Sequence, residues 1–156
     1  VHIADNARAM LLSMTETIRR HFTATGYVAN QPSVLLHWHR KLKLWLPPGG
    51  HIEENEDPVQ AVIREAKEET GLDVLAATLI AIYSGSRFAG KNMYGNEYQM
   101  LLFQFRVDEW SGSLVKETEE SVDAGFFSEE ERPEPYRYYR EALEDLDGFT
   151  GQVILK

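Results

Sequence analysis

The 156-residue sequence contains no cysteine, which excludes disulfides, thiol catalysis and zinc sites built on cysteine. It also lacks an excess of basic residues: 16 Lys and Arg stand against 25 Asp and Glu, for a net charge of −9. That balance argues against binding to duplex nucleic acid and against docking on anionic membranes. No apolar run reaches about 18 residues, so we expect no membrane-spanning helix. No signal-peptide pattern is visible, and we expect a cytoplasmic location.

What is present is the composition of an ordinary globular protein, with 43% hydrophobic and 26% charged residues. A chain of this length is sufficient for one domain with its own core, and no long linker divides it. We therefore predict a single domain over residues 1–156.

The hydrophobic pattern alternates between helical and extended segments. Helical spacing over residues 4–22 predicts an N-terminal amphipathic helix, which makes residues 1–22 an N-terminal helical segment. A second helix is predicted from the N-cap Asp57 and Pro58 to Gly71, a typical C-terminal cap, and a third over residues 134–147. Strands are predicted over residues 23–30, 33–39, 73–84, 97–107 and 122–127. This order predicts an α/β fold of the α+β type, a mixed β-sheet sandwiched between helices.

The helix after Asp57 has two chemically different sides. The side predicted to pack against the sheet consists of Val59, Val62, Ile63, Ala66 and Thr70. Glu65, Glu68 and Glu69 fall on the other side, one turn apart, where they can hold a hard cation such as Mg²⁺. Three glutamates are also common on a solvated helix face. The preceding Pro47–Gly50 segment, predicted as a turn or irregular loop, favours the first interpretation because glycine lets a backbone carbonyl approach a ligand.

The segment Gly50–Leu72 resembles the complete signature of the Nudix hydrolases. Its fixed positions are Gly50, Glu56, Arg64, Glu65, Glu68, Glu69 and Gly71, with the small or apolar Ala66 and Leu72 fitting as well. The resemblance implies a mixed sheet between helices, with this segment (hereafter the box) as a loop, helix and loop. It also implies the hydrolysis of a nucleoside diphosphate linked to another moiety, with Mg²⁺, or Mn²⁺ as a substitute.

The resemblance also implies roles for individual residues. The three helix glutamates are the implied metal ligands, together with the carbonyl of Gly50. Arg64 is implied to orient one of these glutamates, and Glu56 to brace the loop, although Glu56 is equally suited to an ordinary helix entry. Glu65 is our choice for the general base, although the base in this family does not always lie on the box helix.

A further glutamate after the box completes the metal site in similar enzymes. Glu117, Glu119 and Glu120 are the candidates here, and we prefer Glu120. The same run of charges is equally typical of a solvated loop.

Residues 85–92 almost fit the phosphate-binding loop GxxxxGK[ST], but Asn92 lacks the required hydroxyl and no helix is predicted to follow. We therefore reject that motif and expect a loop that offers Arg87 or Lys91 to substrate phosphates. His51 directly follows Gly50 and is also expected to contact substrate. His37 and His39 share one face of a strand, which with His51 raises zinc as an alternative, but the acidic site suits Mg²⁺ better.

The terminal helix carries Arg137 and Arg140 among tyrosines, a set that can bind a base or a phosphate but more often packs against the core. We predict a pyrophosphohydrolase that acts on a small nucleotide-derived substrate, and a homodimer, as is common in similar proteins. Two alternatives remain. One is a nucleotide-binding module without turnover, which would not need the full set of glutamates. The other is activity like that of isopentenyl diphosphate isomerase, which would need additional acid and base groups.

Overall fold

The computed structural model describes residues 18–92 and 94–156. This part of the chain forms the strands β1 (Arg19–Asn30), β2 (Ser33–His39), β3 (Leu44–Leu46), β4 (Gly49–His51), β5 (Asp73–Tyr83), β6 (Ala89–Lys91), β7 (Glu97–Ser111), β8 (Ser121–Phe127) and β9 (Ile154–Leu155), with the helices α1 (Pro58–Thr70) and α2 (Tyr139–Asp147). Neither of these helices has the length and apolar content needed to cross a membrane.

The strands form one mixed sheet with the order β3-β2-β1-β7-β5-β9. The pairing of β1 with β7 and of β5 with β9 is parallel, whereas β5 and β7 are antiparallel. The short strand β4 pairs with the first half of β1, β6 pairs with β7, and β8 pairs with β2. Strand β1 therefore joins the two parts of the sheet and brings β4 and α1 to its centre.

The two helices cover opposite faces of the sheet. Because side chains alternate along a strand, β1 directs Ala24 and Val28 into the core under α1, which includes Val62. It directs Tyr27 into the second core, which includes Leu143 of α2. This confirms the predicted arrangement of a mixed sheet between helices.

The predicted strands are present, but the segment Pro47–Gly50 is not entirely a turn. Gly49 and Gly50 lie in β4 and pair with Thr25 and Ala24 of β1. A strand of three residues is defined by its partner and not by its own pattern, so local sequence did not reveal it.

The segment of residues 85–92 contains one turn of 3-10 helix, Ser86–Phe88, followed by β6. It contains no α-helix, which agrees with the rejection of the phosphate-loop motif.

The last residues of the helix predicted over residues 4–22 lie in a strand. Arg19–Phe22 belong to β1 and pair in parallel with Tyr98–Leu101. The prediction was wrong there because the spacing of two apolar residues, Ile18 and Phe22, fits a strand end as well as a helix. Residues 4–17 lie outside the described part of the chain.

The terminal helix begins at Tyr139, later than the predicted start at Glu134. Arg137 has a φ of 48°, which is left-handed and incompatible with a right-handed helix. The helix therefore begins only after this residue. The preceding segment is irregular and contributes to a cavity described below.

Candidate active site

Local capping interactions set both ends of α1. The Asp57 side chain accepts the backbone N–H groups of Val59 and Gln60, each at 2.9 Å, and the Gln60 side chain accepts the N–H of Asp57 at 2.8 Å. Pro58 occupies the first helical position, and Gly71 ends the helix with a φ of 76°. These interactions confirm the predicted ends of the helix and fix the position of its glutamates along the axis.

The face of α1 that packs on the sheet differs from the predicted one. Val59 and Ile63 are 39% and 42% exposed, so the prediction that they are buried was wrong. Glu65 and Glu69 are instead only 7% and 1% exposed, on the same side as Ala66. Helical spacing predicts which residues share a side but not how the helix is rotated on the sheet. The rotation observed here turns two of the box glutamates inward.

Two consecutive glycines bring β4 against these glutamates. A Cβ atom on Gly50 would lie 2.3 Å from Oε1 of Glu65, and one on Gly49 would lie 2.6 Å from the carbonyl oxygen of Ala24. The N–H of Gly49 donates to Oε2 of Glu69 at 2.9 Å. The lack of a side chain on Gly50 therefore lets β4 approach the Glu65 carboxylate, and the lack of one on Gly49 lets β4 pair closely with β1.

Arg64 connects α1 to the loop before it. Its Nε and Nη2 donate to the two carboxylate oxygens of Glu56 at 2.9 and 3.0 Å. Its Nη1 donates to Glu65 at 2.8 Å and to the exposed Glu68 at 3.2 Å, and Nη2 also donates to the carbonyl of His51 at 2.9 Å. The hydrogen bond from Arg64 is the main cause of the lowered pKa of Glu56. This paired geometry holds the guanidinium at two points and places it beside the Glu65 carboxylate.

Glu69 is a buried carboxylate with incomplete charge compensation. Burial raises its pKa to about 9, against the lowering effect of the hydrogen bond from β4, and three nearby carboxylates add to the rise. Burial also raises the pKa of Glu65, although Arg64 acts in the opposite direction. Buried negative charge is unfavourable unless positive charge lies beside it. A divalent cation at these carboxylates would supply that charge.

His37 faces Glu69 from β2. Burial is the main cause of its lowered pKa, about 4, so the ring is neutral at pH 7. The hydroxyl of Ser121 donates to the backbone carbonyl of Glu69 and therefore accepts the Nδ1–H of His37, both at 2.7 Å. The lone pair is thus on Nε2, which lies 3.3 Å from Oε2 of Glu69 and has no hydrogen-bond partner in the described part of the chain. Two facing acceptors require a proton or a cation beside them: without a cation the raised pKa of Glu69 supplies the proton, and a bound cation would replace it.

Glu120 and His39 approach Glu69 from neighbouring segments. One potential ligand atom from each of the three lies within 4.8 Å of the others. Nδ1 of His39 accepts the backbone N–H groups of Lys41 and Leu42, both at 3.2 Å. A neutral imidazole with an accepting Nδ1 carries its proton on Nε2. Nε2 of His39 is therefore a donor and not a free ligand, and the remaining oxygen ligands suit Mg²⁺ or Mn²⁺ better than zinc.

The contacts of Arg40 distinguish the three candidate glutamates that follow the box. It donates to the side chain of Glu117 at 3.5 Å and to the backbone carbonyl of Glu119 at 3.2 Å. Glu120 is the one that lies beside Glu69. The structure thus brings Glu120 close to the box glutamates and turns Glu117 toward the arginine.

The three residues predicted to contact substrate lie in different places. His51 contacts His21 of β1, with 2.9 Å between Nε2 and Nδ1. Arg87 lies in the 3-10 turn and pairs with Glu141 at 2.6 Å. Lys91 pairs with a glutamate of β7 and lines a separate, smaller cavity. Of the three, only His51 belongs to the box, and its contact with His21 was not predicted because the two histidines are 30 residues apart.

A cavity of about 660 Å³ opens between the sheet and α2. Tyr98 of β7 lines it, as do Arg137 and Tyr138 just before α2. His21 packs edge-on against Tyr98 with ring centroids 5.6 Å apart, and its ring lies 5.0 Å from that of His51. These two contacts connect the cavity to the box.

The profile of the NUDIX domain matches residues 19–145. The chain belongs to this family. The match includes the box, the segment with Glu120 and most of α2, so the resemblance seen in the sequence is confirmed.

Individual relatives agree with this assignment. An 8-oxo-dGTP diphosphatase of Proteus vulgaris is 32% identical over 98 residues, which are 60% of this chain and 80% of that protein. An asymmetrical bis(5'-nucleosyl)-tetraphosphatase of Mus musculus is 39% identical over 62 residues, 40% of this chain and 42% of the mouse protein. The crystal structure of a MutT NUDIX hydrolase from Burkholderia pseudomallei has a TM-score of 0.68 at 22% identity, covering 82% of this chain and 98% of that chain. This last similarity concerns the fold.

Proposed function

We propose that this protein hydrolyses the diphosphate linkage of a small nucleotide derivative, with Mg²⁺ as cofactor and Mn²⁺ as a substitute. The observation that carries the proposal is the cluster of Glu65, Glu69 and Glu120 beside the backbone of β4, with a buried acceptor nitrogen facing it. A diphosphate carries dense negative charge, which repels an attacking oxygen unless cations neutralise it. The names of the relatives, a diphosphatase and a tetraphosphatase, support the same class of linkage.

Oxygen ligands for the cation come from two segments in this proposal. They are the carboxylates of Glu65, Glu68, Glu69 and Glu120 and the carbonyl of Gly50. A divalent ion bound there would neutralise phosphate oxygens and lower the pKa of a water molecule.

Glu65 is the proposed general base. It accepts a proton from the attacking water while the water oxygen forms a bond to one phosphorus and the bond from that phosphorus to the bridging oxygen breaks. The bridging oxygen leaves on the second phosphate, so both products carry phosphate. The raised pKa of Glu65, caused mainly by burial, makes it a stronger proton acceptor than an exposed carboxylate. Arg64 is a positioning residue, since it holds the Glu65 carboxylate through its 2.8 Å hydrogen bond.

The substrate is proposed to extend from the box past His51 into the cavity, where Arg87 lies. Lys91 faces another cavity, and a contact of this residue with substrate phosphates stays a prediction. The homodimer and the cytoplasmic location also stay predictions.

A panel of nucleoside triphosphates, nucleotide sugars, ADP-ribose and dinucleoside polyphosphates tests the proposal, with Mg²⁺, Mn²⁺ or EDTA present. We expect metal-dependent hydrolysis that falls more than about 100-fold in Glu69→Gln, since even outer-shell changes at metal sites cost 10- to 100-fold. Glu109→Gln removes an exposed carboxylate of β7 and is the matched control.

The same panel, extended by an isoprenoid diphosphate and by a binding measurement for each nucleotide, distinguishes the two alternatives. Nucleotide binding without hydrolysis under every condition would support the binding module. Conversion of an isoprenoid diphosphate without cleavage of its diphosphate would support the isomerase-like activity. Hydrolysis that persists in Glu69→Gln would argue against the assigned metal site.

A further inference from the structure

We propose that Arg137 selects the substrate by donating two hydrogen bonds to a nucleobase edge that offers two adjacent acceptors, as guanine does, in preference to an edge with a donor, as on adenine. The inference rests on the proposed function, because it assigns the cavity beside the box to the base of a nucleotide. It goes beyond that function by naming the class of base and the residue that recognises it.

The backbone of Arg137 holds an uncommon conformation at the wall of the cavity. Its φ of 48° is left-handed, a region that residues other than glycine rarely occupy. The residue is exposed, and its guanidinium lies 5.0 Å from the ring centroid of Tyr136. Such conformations concentrate at ligand-binding sites, where the surrounding structure maintains them.

Arg137 differs from the other cations of the cavity in its partners. Arg87 and Lys156 both pair with Glu141, at 2.6 and 2.9 Å, and Arg140 pairs with a glutamate earlier in the chain. Within residues 18–92 and 94–156, no carboxylate pairs with Arg137. Among the cations that line this cavity, Arg137 is therefore the one whose N–H donors take no part in an ion pair in the described part of the chain. This is notable in a chain with a net charge of −9, where carboxylates outnumber cations.

The surroundings of Arg137 suit a planar ligand. Tyr98 and Tyr138 line the same cavity, and Tyr138 packs edge to face on the buried Phe88 with ring centroids 5.7 Å apart. A hydrogen bond to the Tyr98 side chain is the main cause of the raised pKa of Arg137, so its guanidinium stays charged and one donor lies toward Tyr98. Aromatic side chains and guanidinium planes are the groups on which bases stack. The cavity volume of about 660 Å³ lies within the range of small-ligand sites.

The distance from the box also favours a base over a phosphate. Two successive ring contacts, of 5.0 and 5.6 Å, separate His51 from Tyr98, which neighbours Arg137. A diphosphate held beside Gly50 does not extend that far, whereas the nucleoside attached to it does. A guanidinium fork also binds phosphate, but the aromatic lining around Arg137 favours a ring. Arginine paired with the adjacent O6 and N7 acceptors of guanine is a common specific contact with this base.

Binding of GMP and AMP to the complete chain, measured calorimetrically in EDTA, tests the proposal without turnover. We expect wild type to bind GMP about 5- to 150-fold more tightly, the discrimination that one good bidentate contact provides. Arg137→Gln and Arg137→Gly should both bring the ratio close to one. Glycine adopts a φ of 48° without strain, so the second variant retains the fold. Arg132→Gln removes the same charge outside this cavity and should keep the preference.

Several outcomes would overturn the inference. Equal affinity for the two nucleotides in wild type, no binding of either one, or a preference that survives in both Arg137 variants would each do so. Coenzyme A and its dephosphorylated form carry the same base and differ by one phosphate. A preference for coenzyme A that is lost in Arg137→Gln would therefore assign the residue to a phosphate and overturn the base assignment. A negative hydrolysis panel would refute the proposed function alone, because nucleotide binding in EDTA is measured separately.

Discussion

Replacement of Gly50 by alanine tests whether the close approach of β4 positions the carboxylate of Glu65. The added Cβ would lie 2.3 Å from Oε1 and 2.7 Å from Cδ of Glu65, so the carboxylate must move. The displaced group is the end of a flexible side chain, and we expect a loss of only about 1 kcal/mol in the free energy of unfolding, the cost of one strained rotamer. The movement displaces Oε1, which accepts the 2.8 Å hydrogen bond from Arg64, from its place in the proposed metal site.

Gly49→Ala provides the contrasting perturbation. Its Cβ would meet backbone, 2.6 Å from the carbonyl oxygen of Ala24 and 2.8 Å from the Cα of Thr25, so two paired strands must separate. We expect this variant to lose about 1–3 kcal/mol of stability, as overpacked sites do. Gly125→Ala is the control, because its Cβ would have only ordinary contacts, at 3.5 Å.

Two measurements on these variants are required. Urea unfolding should rank Gly49→Ala as the least stable, with Gly50→Ala close to wild type. Titration with Mn²⁺ followed by electron paramagnetic resonance should show at least about tenfold weaker binding in Gly50→Ala, since even outer-shell changes at metal sites cost about 10- to 100-fold in affinity. Wild-type Mn²⁺ affinity in Gly50→Ala would refute the reasoning, because Glu65 would then not belong to the site.

Three further predictions concern other parts of the structure. Arg64→Ala should lower kcat more than it raises KM, because the residue orients a carboxylate and does not bind substrate; the opposite pattern in steady-state kinetics would contradict this role. The hydrogen bond from Lys156 is the main cause of the lowered pKa of Glu141. The ionised Glu141 side chain contributes fully to the free energy of unfolding at pH values above 4.5, the ordinary pKa of a glutamate. This contribution is lost as the pH falls through the lowered pKa of Glu141. Glu141→Gln should therefore flatten the acid limb of the unfolding free energy against pH, and an unchanged curve would count against the pair. Gly71→Ala should cost about 1–3 kcal/mol in urea unfolding, because φ is 76° and the added Cβ would lie 2.6 Å from Val115; a stability equal to wild type would be inconsistent with that strain.

Features that depend on neighbouring residues could be predicted from the sequence. The ends of α1 follow from Asp57, Pro58 and Gly71, whose capping interactions act within one helical turn. The strands β5 and β7 follow from long runs of apolar residues. The box could also be recognised because its fixed positions are close together in the chain.

Features that depend on distant pairing could not be predicted in the same way. The rotation of α1 that buries Glu69 depends on the shape of the sheet beneath it, and periodicity does not contain that information. His39 and Glu120 approach Glu69 because β2 pairs with β8, more than 80 residues away. The sequence did indicate His39, because it shares a strand face with His37. The proton on its Nε2 could be assigned only from the turn that follows, where Nδ1 accepts two backbone N–H groups.

The Mn²⁺ anomalous signal from a soaked crystal at neutral pH tests the central claim most directly, namely that these carboxylates hold a divalent cation. We predict a peak bordered by the carbonyl of Gly50 and the carboxylates of Glu65 and Glu69. No peak at that position, in a crystal where lattice contacts leave the box open, would contradict the metal site and with it the proposed hydrolysis.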